Sequence, residues 1–175
     1  MFKIRDRVIL GVISGIVTGT PSKILNSMEY RANLTDVKYG HITSNLFLPK
    51  SEVNAPGAKI LAALANHVNS GIVGVLITYL LSLTGRDQAV VKGLGVASFS
   101  WIIIYGTLSE RLGLRRKSKR PLTHLLSFLD HALFGALCGL FISKYGDDSL
   151  FPDQKMPNEQ FQLRSLGKTH PVQSN

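Results

Sequence analysis

The stretch from Ile60 to Thr84 runs for 25 residues without an aspartate, glutamate, lysine or arginine. Folded as a helix it would be about 37 Å long, more than the roughly 30 Å of a bilayer's hydrocarbon core. Three other segments share its character. Val8 to Ser22 carries no charge, Gly93 to Ser109 carries none, and Pro121 to Ser143 holds a single acid, Asp130. A soluble domain of 175 residues seldom needs four such runs. The expectation is an all-α, polytopic integral membrane protein with four transmembrane helices, at about residues 8–30, 59–83, 89–108 and 122–145. Residues 1–145 would form the membrane domain, and 146–175 a polar, proline-containing tail without fixed structure.

The net charge of +9 would suit a nucleic-acid binder, but its placement points elsewhere. Lysines and arginines flank the apolar runs, as topology signals do. The cluster Arg115, Arg116, Lys117, Lys119 and Arg120 lacks interleaved aromatics, so it reads as a topology and anionic-headgroup determinant. The expected partner is the lipid bilayer, not nucleic acid. The lone Cys138 excludes an intrachain disulfide and reads as a small packing residue. No A-x-A site follows the first run, where Thr20-Pro21-Ser22-Lys23 stands instead; it is read as an uncleaved first span. Orientation is contested between residues 111–120 and Lys3, Arg5 and Arg7. The denser cluster favours a cytoplasmic 111–120 loop.

Small residues recur at helical spacing. Gly11, Gly15 and Gly19 share one face of the first segment, Gly71 and Gly74 lie on the second, and Gly135 and Gly139 on the fourth. Such faces let helix backbones approach closely in lipid. They are read as the seams of the bundle; the rival reading exposes the first segment's glycine face to form a homo-oligomer. Tyr30, Tyr79, Tyr105 and Tyr145 fall near segment ends and suggest an aromatic belt. The connection 31–59 is polar, with a short interfacial helix suggested around His41 to Pro49.

Four segments also place their polar groups at one height. Counted from a common side at about 1.5 Å per residue, Lys23 and His67 lie about 10 Å in, and Asp130 and His131 roughly 13–15 Å. Asn66 and Asn69 flank His67, and Trp101 falls at the same level. An aspartate there is costly, about 2.5–3.5 kcal/mol on insertion scales, so Asp130 must be protonated, paired or facing a wet cavity. Lys23 is its expected partner, with His67 or His131 as the alternative. The layer either fixes helix register or handles a proton, ion or small solute. No phosphate loop, dinucleotide fingerprint, HExxH, CxxC or GxSxG motif occurs. No enzyme activity, cofactor or metal site is assigned.

The glycine-striped GVISGIVTGTPSK, a histidine in the second segment and DHALFGALCG in the fourth resemble small bacterial inner-membrane proteins of unknown function, the YagU-type family among them. That likeness implies four spans in a bacterial cytoplasmic membrane and offers no catalytic residues. The favoured reading is a structural or accessory membrane component without catalysis. The alternative is a small transporter or ion-handling protein using the Lys/His/Asp layer.

Overall fold

A computed structural model describes residues 3–44, 47–52, 55–108, 111, 118 and 120–152. The described chain is helical: α1 (Arg7–Arg31), a six-residue α2 (Tyr39–Ser44), α3 (Pro56–Thr84), α4 (Ala89–Trp101) continuing as a π-helix over Ile102–Leu108, and α5 (Pro121–Tyr145). α1, α3, α4 with its π-helical extension, and α5 are each long and apolar enough to cross a membrane. Local chemistry sets their ends. The Asp6 carboxylate caps α1 by accepting from the Ile9 amide at 2.8 Å. Gly85, at φ 90°, ends α3, and the Lys92 ammonium donates to the freed Thr84 and Gly85 carbonyls, where a cation suits a helix C-terminus.

The four long helices run alternately up and down as two tight pairs. In α1–α3, a methyl added at Gly15 would overlap the Ser70 carbonyl, and one at Gly74 the Gly11 carbonyl. In α4–α5, methyls at Gly135 and Gly139 would overlap the Gly93 and Ala89 carbonyls. Backbone contact this close needs hydrogen at Cα. Gly71 sits in ordinary contact with Val12. The Gly11/Gly15/Gly19 face is thus filled by α3 of the same chain, with Phe134 of α5 near Gly19. It is not an exposed oligomer surface.

Polarity is reversed from that of a water-soluble bundle. Large apolar residues point outward along every long helix, Ile60 and Leu83 being 66% and 78% exposed. Inside, α1 buries Ser14, Thr18, Ser22, Asn26 and Glu29 along one stripe, facing Ser70 and Thr78 of α3 and Ser127 and Asp130 of α5. An outer surface so apolar is a place for lipid or protein, not water.

The interior divides in two along its length. Around the α1 N-terminus, Leu10, Ile77, Leu81, Cys138 and Ile142, all fully buried, make a dry apolar plug. The chain after α5 closes it. Ile4 pairs with the backbone of Tyr145 and Asp147, a turn over Asp148–Leu150 follows, and Leu150 and Phe151 are buried against the plug. The expected tail therefore begins later than Gly146: residues 146–152 belong to the fold, because two apolar side chains in an otherwise polar stretch find cover there. Residues 153–175 lie outside the described residues, as do Arg115, Arg116, Lys117 and Lys119 of the basic cluster. Arg120 is exposed and donates to the Asn33 carbonyl.

Candidate functional site

The other half of the interior is polar and hollow. α2 folds back over the bundle where Asn26 of α1 grips it. The Asn26 side-chain oxygen accepts from the Tyr39 amide at 3.0 Å, and its nitrogen donates to the Val37 carbonyl. That clamp drives Tyr39 inward until it is 6% exposed, and its hydroxyl donates to Asp130 Oδ2 at 2.7 Å. The short helix lies earlier than the interfacial helix expected over 41–49. It buries an aromatic ring instead of lying flat.

A chamber of about 50 Å³ sits beside this contact. Lys23, Asn66, Asn69, Trp101, Asp130 and His131 line it together with Ser22, Tyr39, Ser70, Ser100 and Tyr105. The polar residues placed at one height by counting thus meet around a common space, large enough for a few waters. His67 does not join them. Its Nδ1 donates to the Ala63 carbonyl in its own helix at 2.6 Å, since a step of one residue from Asn66 turns the side chain about a quarter of the way around the helix. Tyr105 departs from the aromatic belt for a similar reason: spaced four residues after Trp101, it faces inward and is 7% exposed.

The walls are held in place by hydrogen bonds and ring contacts. Trp101 Nε1 donates to Ser127 Oγ at 2.9 Å, and Ser22 donates to the Asp130 carbonyl. His131 donates from Nδ1 to the Ser127 carbonyl at 2.7 Å. A carbonyl only accepts, which places a proton on Nδ1. The imidazole is wedged edge-on between Tyr39 and Tyr105, ring centroids 5.3 and 5.0 Å away. Trp101, Tyr105 and their neighbours come from the junction of α4 with its π-helical turn, a distortion that recurs at functional sites.

The expected Lys23–Asp130 ion pair does not form. Among the described residues, Lys23 Nζ, Asp130 Oδ1 and Glu29 Oε2 are buried without a hydrogen-bond partner. Tyr39 takes one Asp130 oxygen, and the other and the ammonium are left with chamber walls around them. No three histidine, cysteine, aspartate or glutamate side chains among the described residues are arranged to hold a metal ion.

A second, wider cavity of about 330 Å³ lies over the first, between α1 and α3 and under α2. The two share Lys23, Tyr39 and Asn66 in their walls. Lys38, His41 and Lys59 join Lys23 there, and the exposed Lys59 marks its mouth at the α2 end. Below the inner chamber, Val73, Ala97 and Phe134 form a floor that belongs to the apolar plug. Among the described residues, Lys23, Tyr39 and Asn66 stand between the two spaces, and the apolar plug lies at the other end of the inner chamber.

Tyr39, Tyr105, Ser22, Asn26 and Ser127 were missed from the sequence. A signal existed for two of them, in the every-fourth-residue series Ser14, Thr18, Ser22, Asn26. Compared with protein-family models, curated proteins and solved structures, the chain finds no match in any of the three.

Proposed function

We propose that the chain is a multi-pass membrane protein that binds a small polar or charged solute in a chamber reached from one side, as a transporter or ion-handling protein does in one of its two facing states. The observation that carries this is the pair of unpartnered groups, Lys23 Nζ and Asp130 Oδ1, bordering one chamber. A network that only fixes helix register would satisfy its own members, since a buried polar group without a partner costs about 1–3 kcal/mol. Here the cation and the acid stand where a ligand or proton would complete them. The reading assigns no catalytic step and no cofactor. Single-sided access and the apolar plug weigh against an open pore.

On this reading the lipid-facing surface is the apolar exterior, and the membrane is the bacterial cytoplasmic one that the sequence resemblance implies. The end carrying α2 faces the cytoplasm, its lysines near anionic headgroups. Thiol labelling tests the proposal in a Cys138→Ser background. Cysteine at Asn69 is expected to react with a membrane-impermeant reagent from the α2 side alone, and cysteine at Ile77 from neither. An Asn69→Cys protein inert from both sides would return the layer to a packing role and the chain to an accessory component.

A further inference from the structure

The outer cavity has a sign. Lys23, Lys38, Lys59 and His41 line it, with Asn26 and Asn66 as neutral polar neighbours. Neither Glu29 nor Asp130 is among its lining residues, and among the described residues none of its three lysines forms an ion pair. The Lys23 ammonium at its inner wall is buried and unpartnered. Burial, and the Lys38 charge after it, hold the His41 imidazole below its ordinary value, which leaves the three lysines as the strongly basic groups of this cavity. Three cations around about 330 Å³ repel one another unless an anion sits among them, and basic pockets between membrane helices recognise anionic headgroups by this means.

We propose that the outer cavity is an anion site, in which a carboxylate or phosphate group is received by Lys38 and Lys59 and passed to, or held by, Lys23. This rests on the one-sided solute site argued above and specifies the charge of what enters it. The required group is a single compact anion, with the remainder of the ligand facing the mouth.

Trp101 is the chain's one tryptophan and lines the inner chamber, so its fluorescence reports entry in the full-length protein in neutral detergent. Iodide is expected to quench it several-fold better than caesium. The paired substitution Lys38→Gln and Lys59→Gln should weaken iodide quenching about tenfold or more, as losing charged partners does, while neutral acrylamide quenches both proteins alike. Protection from iodide by inorganic phosphate or acetate identifies a free anion as the ligand. Protection by short-chain phosphatidic acid alone, with phosphatidylcholine ineffective, identifies a lipid headgroup. Protection by none of them, or iodide no better than caesium, overturns the anion site. If acrylamide still quenches in that case, the one-sided chamber survives; if acrylamide fails as well, both readings fall together.

Discussion

The Tyr39 hydroxyl and the Asp130 carboxylate, 91 residues apart in sequence, meet at 2.7 Å in the bundle interior. This contact joins a polar connection to the middle of the last long helix, and it leaves only one Asp130 oxygen facing the chamber. Tyr39→Phe keeps the ring and removes the donor, so both carboxylate oxygens become unpartnered. The expected cost is about 1.5–3 kcal/mol, the range for a hydrogen bond to a charged group. Asp130→Asn retains an acceptor for Tyr39 and should cost less. In a double-mutant cycle of Tyr39→Phe with Asp130→Leu, which removes the acceptor, followed by thermal unfolding in detergent, the two should couple by about 0.5–3 kcal/mol. Strict additivity would show that the contact contributes nothing.

The glycine seams predict a graded series. Gly15→Ala and Gly135→Ala drive a methyl into a facing backbone carbonyl, where no side chain can swing away. Each should lower stability by about 1–3 kcal/mol, the usual penalty for overpacking, or abolish folded yield. Gly95 has open space around its Cα, so Gly95→Ala should be neutral or stabilise by about 0.5–1 kcal/mol through helix propensity. Equal folded yields for all three proteins would contradict this packing.

Much of this arrangement was readable from residue order, for reasons that also explain what was not. Uncharged runs such as Ile60 to Thr84 announce long helices because no bend can be satisfied within them, and the observed bounds lie within a few residues of those expected. Gly11/Gly15/Gly19 and Gly135/Gly139 follow a fixed spacing, so their faces could be assigned, although not which helix would fill them. Asp130 and His131 could be placed at the level of Lys23 by counting, because a helix converts position into height. Counting does not give direction around the axis, and His67, one step from Asn66, was therefore included in a layer that its side chain leaves. Tyr39 was invisible for a different reason. It lies in a polar connection with no periodicity, and it is drawn inward by Asn26 and Asp130, partners far from it in the chain. Leu150 and Phe151 likewise gain cover from residues far from them in the chain, Ile4 and the side chains of the plug among them.

Acid should loosen the connection that carries Tyr39. Burial alone would raise the Asp36 carboxyl, but hydrogen bonds from Ser118 and Thr123 and the charge of Arg120 outweigh it, and the group lies below its ordinary 3.8. A folded-state value below the unfolded one gives stability that is present above the unfolded value and lost as pH falls through the folded one. Hydrogen exchange at the Asp36 to Tyr39 amides is therefore expected to stay slow down to about pH 4 and to quicken below it. In Asp36→Asn that pH step should vanish. An unchanged step would assign the acid sensitivity to another group.

The cap over the apolar plug gives the last expectation. Phe151 is 6% exposed; its ring lies 2.7 Å from where a Cβ on Gly146 would stand, and the Arg86 guanidinium sits 4.8 Å above its centroid. Arg86 also pairs with the exposed Asp148 at 2.7 Å. Burial, not charge, should dominate this corner, because an exposed ion pair is worth only about 0–1 kcal/mol whereas truncating a buried phenylalanine costs about 3–5 kcal/mol. Phe151→Ala should therefore lower the unfolding midpoint far more than Asp148→Ala. Gly146→Ala should resemble Phe151→Ala, since the new methyl displaces the same ring. If Asp148→Ala were the more damaging, the return of the chain over Leu81 and Ile142 would be held by its charges, and the closed end of the molecule would depend on salt.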